Sequence, residues 1–263
     1  MTFSDAQLDR YARHMVLREI GGAGQARLLD SHVLVVGAGG LGAPLLMYLA
    51  AAGVGHIRLV DGDRVALSNL QRQVIYHTSD VDRLKVDSAA ERIAAINPDV
   101  QLETVPERLT GDNAAALMDG MDVVADGSDN FTTRLAVADA ALAVRLPLVT
   151  AMLSSHLAQL ATFKPHDGPD LPCYRCFMPD HPGEEGDATC AEQGIMGALA
   201  GMAGSLQALE VIRELVPFGN GLAGRLMLLD GLEPARTRTL TLKRDPACPA
   251  CADLVRDDRK GTD

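Results

Sequence analysis

Four of the five cysteines form two Cys-X-X-Cys pairs, Cys173 with Cys176 and Cys248 with Cys251. Four thiolates on two short turns can surround one Zn²⁺ ion tetrahedrally and leave no coordination position open for water. Because the pairs lie far apart in the sequence, the ion would join two distant segments of one domain. Disulfide pairing is the alternative, and a reducing compartment disfavours it. The spacing therefore predicts a structural zinc site.

A glycine-rich loop near the start of the chain has the pattern Gly-X-Gly-X-X-Gly. The loop is Gly37-Ala-Gly-Gly-Leu-Gly42, and it directly follows the apolar run His32–Val36. At the start of a helix, backbone N–H groups of such a loop can bind a phosphate. Asp61 ends the next apolar run, where its carboxylate can accept hydrogen bonds from ribose hydroxyls. Two alternatives remain open at this point, a tight turn without a ligand and an NAD-dependent oxidoreductase with a structural zinc.

Three charged residues distinguish ATP from a dinucleotide as the ligand. Arg72 and Lys85 can neutralise triphosphate charge as pyrophosphate leaves, and Asp129 can bind Mg²⁺ after the fourth apolar run. Nicotinamide chemistry needs no such set. Each residue also has an ordinary explanation: a surface ion pair for Arg72, a solvated lysine for Lys85 and a helix N-cap for Asp129. Their shared position after the first strands favours ATP.

The bulk composition excludes several classes of protein. With 47% hydrophobic residues, the 263-residue chain is globular, and its net charge of −11 argues against sequence-independent nucleic-acid binding. The first residues are polar where a signal peptide would be apolar. The long apolar segment 194–215 is interrupted by charged residues, so it does not read as a membrane span. We expect a cytoplasmic protein with neither a nucleic-acid nor a membrane partner.

Apolar runs alternate with helical patterns through about residue 150, which predicts a doubly wound, Rossmann-like α/β fold. A capping box at Ser4 and Gln7 predicts a helix to about Glu19, which Gly21-Gly22 would end. Further helices are expected over 41–52, 84–96, 112–118 and 132–144, and strands over 32–36, 56–60, 100–105, 122–125 and 148–150.

Beyond residue 150 the pattern changes to an added antiparallel part. Strands are expected at 157–163, 226–229 and 237–242, and residues 165–193 should be irregular. The helix over 194–215 has small residues that allow close approach of another backbone: Gly197, Gly201, Gly204 and Ala208. We expect one domain over 1–263, with a nucleotide-binding half (1–150) and a second half (151–263) that holds the zinc clip.

Seven motifs together identify a family resemblance over nearly the whole chain. They are Arg10-Tyr-Ala-Arg13-His-Met-Val-Leu17, Val36-Gly-Ala-Gly-Gly-Leu-Gly42, Ser68-Asn-Leu-Gln-Arg-Gln73, Asp126-Gly-Ser-Asp-Asn130, Cys173-Tyr-Arg-Cys176, Thr189-Cys190-Ala-Glu and Cys248-Pro-Ala-Cys251. In this order and spacing, the set resembles the MoeB/ThiF (HesA) adenylyltransferases that activate ubiquitin-like sulfur carriers, which are relatives of the ubiquitin-activating enzymes.

The resemblance implies an ATP-dependent reaction on a protein substrate. The C-terminal glycine carboxylate of a small carrier of the MoaD/ThiS type would attack the α-phosphate, giving an acyl-adenylate and pyrophosphate, for molybdopterin, thiamine thiazole or related sulfur transfer. A separate donor would supply the sulfur, and the carrier would bind to the half formed by residues 151–263. A module that binds the carrier without activating it is the non-enzymatic alternative.

The resemblance also assigns roles to individual residues. Arg72 and Lys85 would contact phosphates, Asp129 would take part in Mg²⁺ binding and adenylation, and Arg13 would reach the nucleotide of the neighbouring subunit in a homodimer. The remaining nucleotide-binding residues would be Gly37, Gly39, Gly40, Gly42, Asp61, Asp63, Asn69 and Asn130.

Cys190 is the fifth cysteine and belongs to neither pair. The resemblance offers two roles, a covalent link to the carrier during sulfur transfer or a loop position without chemistry. Nearby acids, Glu184, Glu185, Asp187 and Glu192, would raise the pKa of its thiol and so oppose reactivity. We expect Cys190 to be dispensable for adenylation and to matter, if at all, only in sulfur transfer.

Overall fold

The computed structural model describes residues 2–179, 194–233 and 236–252 of the chain. The strands are β1 (His32–Val36), β2 (His56–Val60), β3 (Gln101–Val105), β4 (Val123–Asp126), β5 (Leu148–Ser154), β6 (Leu157–Phe163), β7 (Arg225–Asp230) and β8 (Arg236–Thr241). They form one sheet in the order β3-β2-β1-β4-β5-β6-β7-β8. β1 to β5 pair in parallel, and β6, β7 and β8 continue the sheet antiparallel. The predicted Rossmann-like fold with an antiparallel C-terminal part is confirmed.

The helices cover both faces of this sheet. They are α1 (Asp5–Met15), α2 (Gly21–Asp30), α3 (Gly42–Ala52), α4 (Lys85–Ile96), α5 (Ala114–Met118), α6 (Phe131–Ala143), α7 (Tyr174–Phe177) and α8 (Gly197–Leu215), with short 3₁₀ turns at Leu67–Asn69, Thr78–Asp80 and Pro165–Asp167. In β1, Val33 and Val35 pack on one face, whereas Leu34 and Val36 pack on the other. The run is apolar throughout because a central parallel strand is buried on both faces.

The strand order places a reversal between β1 and β4. β1 pairs with β2 on one side and with β4 on the other, and Val36 is level with both Val60 and Asp126. The loops that follow β1, β2 and β4 therefore leave the sheet at the same edge. In doubly wound sheets, ligands bind at such a crevice beyond the carboxyl ends of the strands.

The first helix is shorter than the sequence predicted, and a second helix was missed. Ser4 caps α1 as expected, with Ser4 Oγ accepting from the Gln7 backbone N–H at 3.2 Å. The helix ends at Met15, and Gly21, with φ of +61°, begins α2 instead of ending α1. A Cβ at Gly24 would lie 2.9 Å from Val216 Cγ1, so close packing against the end of α8 explains a glycine within this helix. Glycine was wrongly interpreted here as a stop signal.

Other boundaries agree to within a few residues, with two exceptions. β5 continues to Ser154, four residues past its predicted end, because it pairs with β6 through a turn at residues 155–156. Residues 165–179 contain a 3₁₀ turn and α7, so this part of the segment is not irregular as predicted. Among the described residues, no helix is long and apolar enough to cross a membrane.

The expected close approach to the last long helix is confirmed at two glycines. A Cβ at Gly204 would lie 2.2 Å from the Leu41 carbonyl oxygen, and one at Gly197 would lie 2.4 Å from that of Gln71. Gly201, by contrast, has no heavy atom within 4 Å of its Cβ position. α8 thus presses against the start of α3 and the turn after β2, both of which border the crevice.

Candidate functional site

A cavity of about 260 Å³ lies in the crevice at the carboxyl ends of β1, β2 and β4. Eight residues predicted from the sequence line it together: Gly37, Gly39, Gly40, Asp61, Asp63, Arg72, Lys85 and Asp129. Residues that are far apart in the chain therefore meet in one chamber of the described structure, as the parallel topology requires.

The glycine loop is held in a fixed shape around the start of α3. Gly37 has φ of +90°, and a Cβ at Gly42 would lie 2.0 Å from the Gly37 carbonyl oxygen, so both positions require glycine. The Ala38 N–H donates to Asp61 Oδ2 at 2.7 Å, and the Tyr76 hydroxyl donates to the Ala38 carbonyl at 2.9 Å. The loop is thereby preorganised, and Gly39, Gly40 and Leu41, directly before α3, line the cavity, where a helix start favours an anion.

Lys85 lies between two carboxylates at the floor of the cavity. Its Nζ is 3.0 Å from Asp63 Oδ2 and 3.9 Å from Asp61 Oδ2, and the residue is 6% exposed. The alternative of a solvated lysine is therefore wrong, although Lys85 does begin α4. Such a buried cation can turn from the carboxylates toward a polyanion that enters the cavity.

The two carboxylates have opposite pKa shifts. Burial raises the pKa of Asp61 above its ordinary value, and the Lys85 charge and the N–H donors of Ala38 and Asp63 only partly offset this. At Asp63, burial also acts to raise the pKa, but the hydrogen bond and charge of Lys85 outweigh it and the pKa is lowered. Asp63 is the firmer anion and the principal partner of Lys85.

Arg72 borders the glycine loop from the other side. A Cβ at Gly40 would lie 3.4 Å from Arg72 Cγ, so the arginine stem packs against the loop. Its guanidinium donates to the Ser68 carbonyl at 3.0 Å. Within residues 2–179, 194–233 and 236–252, no carboxylate lies within 4.0 Å of this guanidinium. The ion-pair alternative for Arg72 thus finds no support in the described part of the chain.

Asp129 and Asn130 are neighbours in the turn after β4, but they make different contacts. Asn130 is the N-cap of α6, because its Oδ1 accepts from the Thr133 N–H at 2.8 Å. The N-cap alternative for Asp129 is therefore wrong, and its exposed carboxylate lines the cavity. Beneath this turn, the buried Asp126 pairs with Arg134 at 3.2 Å and accepts from the Ser128 hydroxyl at 2.7 Å. This polar cluster fixes the turn that presents Asp129.

Four predicted site residues do not line the cavity. Gly42 supports the loop from behind, Asn130 caps α6, and Asn69 Oδ1 accepts from the Ala66 N–H at 3.3 Å. Arg13 is exposed on α1, outside the cavity. Cys190 and its neighbouring acids lie outside the described residues.

Sequence reasoning missed several lining residues. These are Leu41, Gln73, Gly127, Ser128, Phe131, Arg134, Met152, Leu153, Ser154, Ser155 and Ile195. Gln73 is the last residue of the Ser68–Gln73 motif. Since Arg72 of this motif was predicted to bind the nucleotide, the motif was a usable signal for Gln73 as well. Residues 152–155 and Ile195 come from the second half of the chain: the first four lie where β5 continues into its pairing with β6, and Ile195 pairs with Ser155 in a separate bridge.

The four paired cysteines form a separate cluster. Their sulfur atoms lie within 4.8 Å of one another, with Sγ···Sγ distances of 3.7 Å for Cys173–Cys176, 3.7 Å for Cys173–Cys248 and 3.5 Å for Cys176–Cys251. Tetrahedral zinc with bonds of about 2.3 Å places its sulfurs about 3.8 Å apart. All four thiols are free, so the disulfide alternative is wrong. The donor set fits a closed, structural zinc site.

Burial changes the acidity of these thiols. It raises the pKa of Cys173 and raises that of Cys251 to about 11, whereas backbone N–H donors help to lower the pKa of Cys248. Binding of zinc would therefore displace protons from buried thiols.

Comparisons with known proteins agree with this geometry. The model of the ThiF family matches residues 11–250. The sulfur carrier protein adenylyltransferase of Thermus thermophilus is 46% identical over 255 residues, 96% of this chain and 94% of that protein. The SAMP-activating enzyme E1 of Haloferax volcanii is 42% identical over 253 residues, 96% of this chain and 92% of that protein. The crystal structure of Escherichia coli MccB has the same fold, with a TM-score of 0.80, 20% identity, and coverage of 95% of this chain and 73% of that one.

Proposed function

The chain belongs to the ThiF family, and we propose that it activates the C-terminal glycine carboxylate of a small ubiquitin-like sulfur carrier protein with ATP. It is a sulfur carrier protein adenylyltransferase: the carboxylate attacks the α-phosphate, a carrier acyl-adenylate forms and pyrophosphate leaves. The observation that carries the proposal is the single cavity that joins the glycine loop with Arg72, Lys85 and Asp129. The names of the relatives favour this reaction over an oxidoreductase or a non-catalytic binding module.

Positioning and charge stabilisation are sufficient for this reaction. A carboxylate attacks phosphorus without the help of a side-chain nucleophile, provided that it is held in line with the leaving group. In this assignment the loop amides and α3 hold the phosphates, Asp61 accepts from the ribose, and Arg72 and Lys85 stabilise the charge that develops on pyrophosphate. Asp129 and Asp63, which both line the cavity, would hold Mg²⁺, and the ion would supply positive charge against the phosphates.

Lys85 can exchange its carboxylate partner for the phosphates when ATP binds. In the structure Lys85 neutralises Asp63 and, more distantly, Asp61. An incoming triphosphate would offer Lys85 another anion, and its amine could turn from Asp63 to the phosphates. The buried amine would thereby remain paired with an anion throughout, which avoids the cost of an uncompensated buried charge.

The carrier is assigned to the half formed by residues 151–263, within a single adenylation domain over 1–263. Residues 152–155 and Ile195 from this half line the cavity together with the glycine loop. A tail that reaches the α-phosphate would pass along this wall. Sulfur would come from a separate donor after adenylation, and Cys190 would act, if at all, only in that later step. Four free thiols and a need for ATP agree with a cytoplasmic location.

A homodimer would complete the site. Arg13 lies outside the cavity of its own chain, and the exposed apolar residues Tyr48 of α3 and Met202 and Leu209 of α8 offer a surface for a second copy. Mixing Arg13→Ala with Asp129→Ala protein tests this assignment. If Arg13 acts across the interface, the mixture should regain activity that neither variant has alone, whereas an inactive mixture that has exchanged subunits would contradict it.

The central test is carrier-dependent exchange of radiolabelled pyrophosphate into ATP. Exchange should require both Mg²⁺ and a carrier that ends in glycine, and it should vanish with a carrier that lacks this last residue. Each candidate carrier of the source organism is assayed separately. Absence of exchange with every carrier, from protein that is folded and loaded with zinc, would refute the proposed function.

A further inference from the structure

Gln73 is a buried polar side chain in the wall of the nucleotide cavity. The residue is 4% exposed, and its Oε1 has no hydrogen-bond partner among the described residues. A buried acceptor without a partner carries a cost in stability, so Oε1 does not hold the Gln73 side chain in this wall by a hydrogen bond, and its presence there calls for a functional explanation.

The backbone holds Gln73 rigidly under the glycine loop. Its N–H donates to the Asn69 carbonyl at 2.9 Å, and its carbonyl accepts from the Tyr76 N–H at 3.2 Å. The Tyr76 hydroxyl in turn donates to the Ala38 carbonyl. The turn is therefore held by its own backbone hydrogen bonds and fixed to the loop through Tyr76, so the Gln73 side chain has little freedom to leave the cavity.

The Gln73 amide is next to the part of the loop that would face phosphates. Its Nε2 lies 3.8 Å from the Cβ position of Gly39, just as the stem of Arg72 lies against Gly40. Two consecutive side chains thus flank two consecutive glycines. The loop supplies backbone N–H donors and Arg72 supplies charge, and an amide NH₂ beside them is a further, neutral donor to an anion.

We propose that Gln73 is a nucleotide-positioning residue that donates from Nε2 to the phosphate chain of ATP. The inference rests on the proposed function and adds a residue to it. In the described residues no protein group binds this amide, so the contact breaks no existing hydrogen bond. A neutral donor orients the phosphate chain without adding a third cation to Arg72 and Lys85. A third cation would slow the release of pyrophosphate after the reaction.

The variant Gln73→Met separates this role from a structural one, because methionine has a similar length and no hydrogen-bonding group. The affinity for ATP with Mg²⁺, measured by titration calorimetry, should fall about tenfold, because one hydrogen bond to a charged group contributes about this much to binding. The melting temperature without nucleotide should be unchanged or higher, because an unpaired buried acceptor is removed. Gln101→Met, at the opposite end of the sheet on β3, is the matched control and should change neither quantity.

A second variant, Gln73→Glu, keeps the shape and places a carboxylate next to the phosphates, so it should weaken ATP binding more than methionine does. In pyrophosphate exchange both variants should raise KM for ATP more than they lower kcat. Wild-type affinity in Gln73→Met, or a melting temperature that falls without nucleotide, would overturn the inference while the adenylyltransferase assignment stands. Failure of the wild-type protein to bind ATP would overturn both.

Discussion

At the scale of single residues, the neighbours of Asp129 make the structural contacts of the turn after β4, and the Asp129 carboxylate is left to face the cavity. Asn130 caps α6, so Asp129 beside it is not needed for that purpose. Asp126 and Arg134 neutralise each other beneath the turn, so Asp129 is the carboxylate of this turn that faces the cavity. An exposed acid on a rigidly held turn is suited to hold a cation against phosphates.

We expect Asp129→Ala to lower carrier-dependent pyrophosphate exchange by about 10²-fold or more, because a charge that stabilises the transition state is lost. The fold should survive, since the side chain is exposed. Asp119→Ala, at an exposed acid that precedes β4, is the control and should retain activity. Exchange near the wild-type rate in the Asp129 variant would show that this carboxylate has no part in adenylation.

At the scale of elements, α8 connects the two halves of the chain. Its glycines let the helix touch Leu41 at the start of α3 and Gln71 in the turn that carries Arg72. The side chain of the buried Gln207 donates to the Asp126 and Val149 carbonyls, at 2.8 and 3.1 Å. One helix thus contacts four segments, namely the start of α3, the turn that carries Arg72, β4 and β5, so its packing should affect both stability and nucleotide binding.

The two glycines Gly204 and Gly201 provide a matched pair of substitutions. Gly204→Ala would place a methyl group 2.2 Å from a backbone oxygen, and we expect a loss of about 3 kcal/mol or more in unfolding free energy, together with weaker ATP binding. Gly201→Ala meets nothing within 4 Å and should be neutral or stabilise by up to about 1 kcal/mol. Urea denaturation measures both, and equal effects would contradict the packing described for α8.

For the whole molecule, the cysteine cluster fastens the last described segment to the sheet domain. Cys173 and Cys176 lie at α7, which packs on α6, and Cys248 and Cys251 lie beyond β8. Arg244 reinforces the junction by donating to the Cys251 carbonyl. The four cysteines do not line the cavity, which fits a structural role.

We therefore expect about one zinc ion per chain, measured by elemental analysis of the purified protein. Cys248→Ser should weaken zinc binding and lower the melting temperature, because a ligand is lost from a closed site. Ala250→Ser, in the same loop, keeps all four thiolates and should behave as wild type. Metal-free protein with four titratable thiols and undiminished stability would refute the assignment.

The stability of the whole molecule should also depend on pH through two partly buried histidines, His56 and His166. Burial lowers the pKa of both His56 and His166, and their Nδ1 atoms lack partners among the described residues. The folded chain then binds fewer protons than the unfolded one, so the stability that these histidines contribute is complete above about pH 6.5 and is lost as the pH falls below that value.

The melting temperature should accordingly fall between about pH 7.5 and pH 5.5, as measured by scanning fluorimetry at constant ionic strength. Replacing both histidines by glutamine should flatten this dependence, whereas His156→Gln, at an exposed turn, should not. An unchanged pH profile in the double variant would show that other groups, such as the zinc thiols, cause the acid sensitivity.

The sequence by itself determined the parallel half of the fold and most of the residues that come together in the cavity and in the cysteine cluster. Buried parallel strands read as continuous apolar runs, the glycine loop must follow the first of them, and two Cys-X-X-Cys pairs leave few uses for four thiols. Local patterns of this kind depend on neighbours in the chain, so residues such as Gly37, Asp61 and Cys173 could be identified directly.

Only the tertiary structure decided what depends on distant segments. Gly21-Gly22 resembles a helix stop until the end of α8 is seen to pack against α2 at Gly24, and Lys85 looks solvated until Asp61 and Asp63 enclose it. Residues 152–155 join the cavity because β5 turns back into β6, and Gln73 is buried because the turn is bound to the glycine loop. Burial and contacts between distant residues arise only when the chain packs, so a short stretch of sequence cannot reveal them.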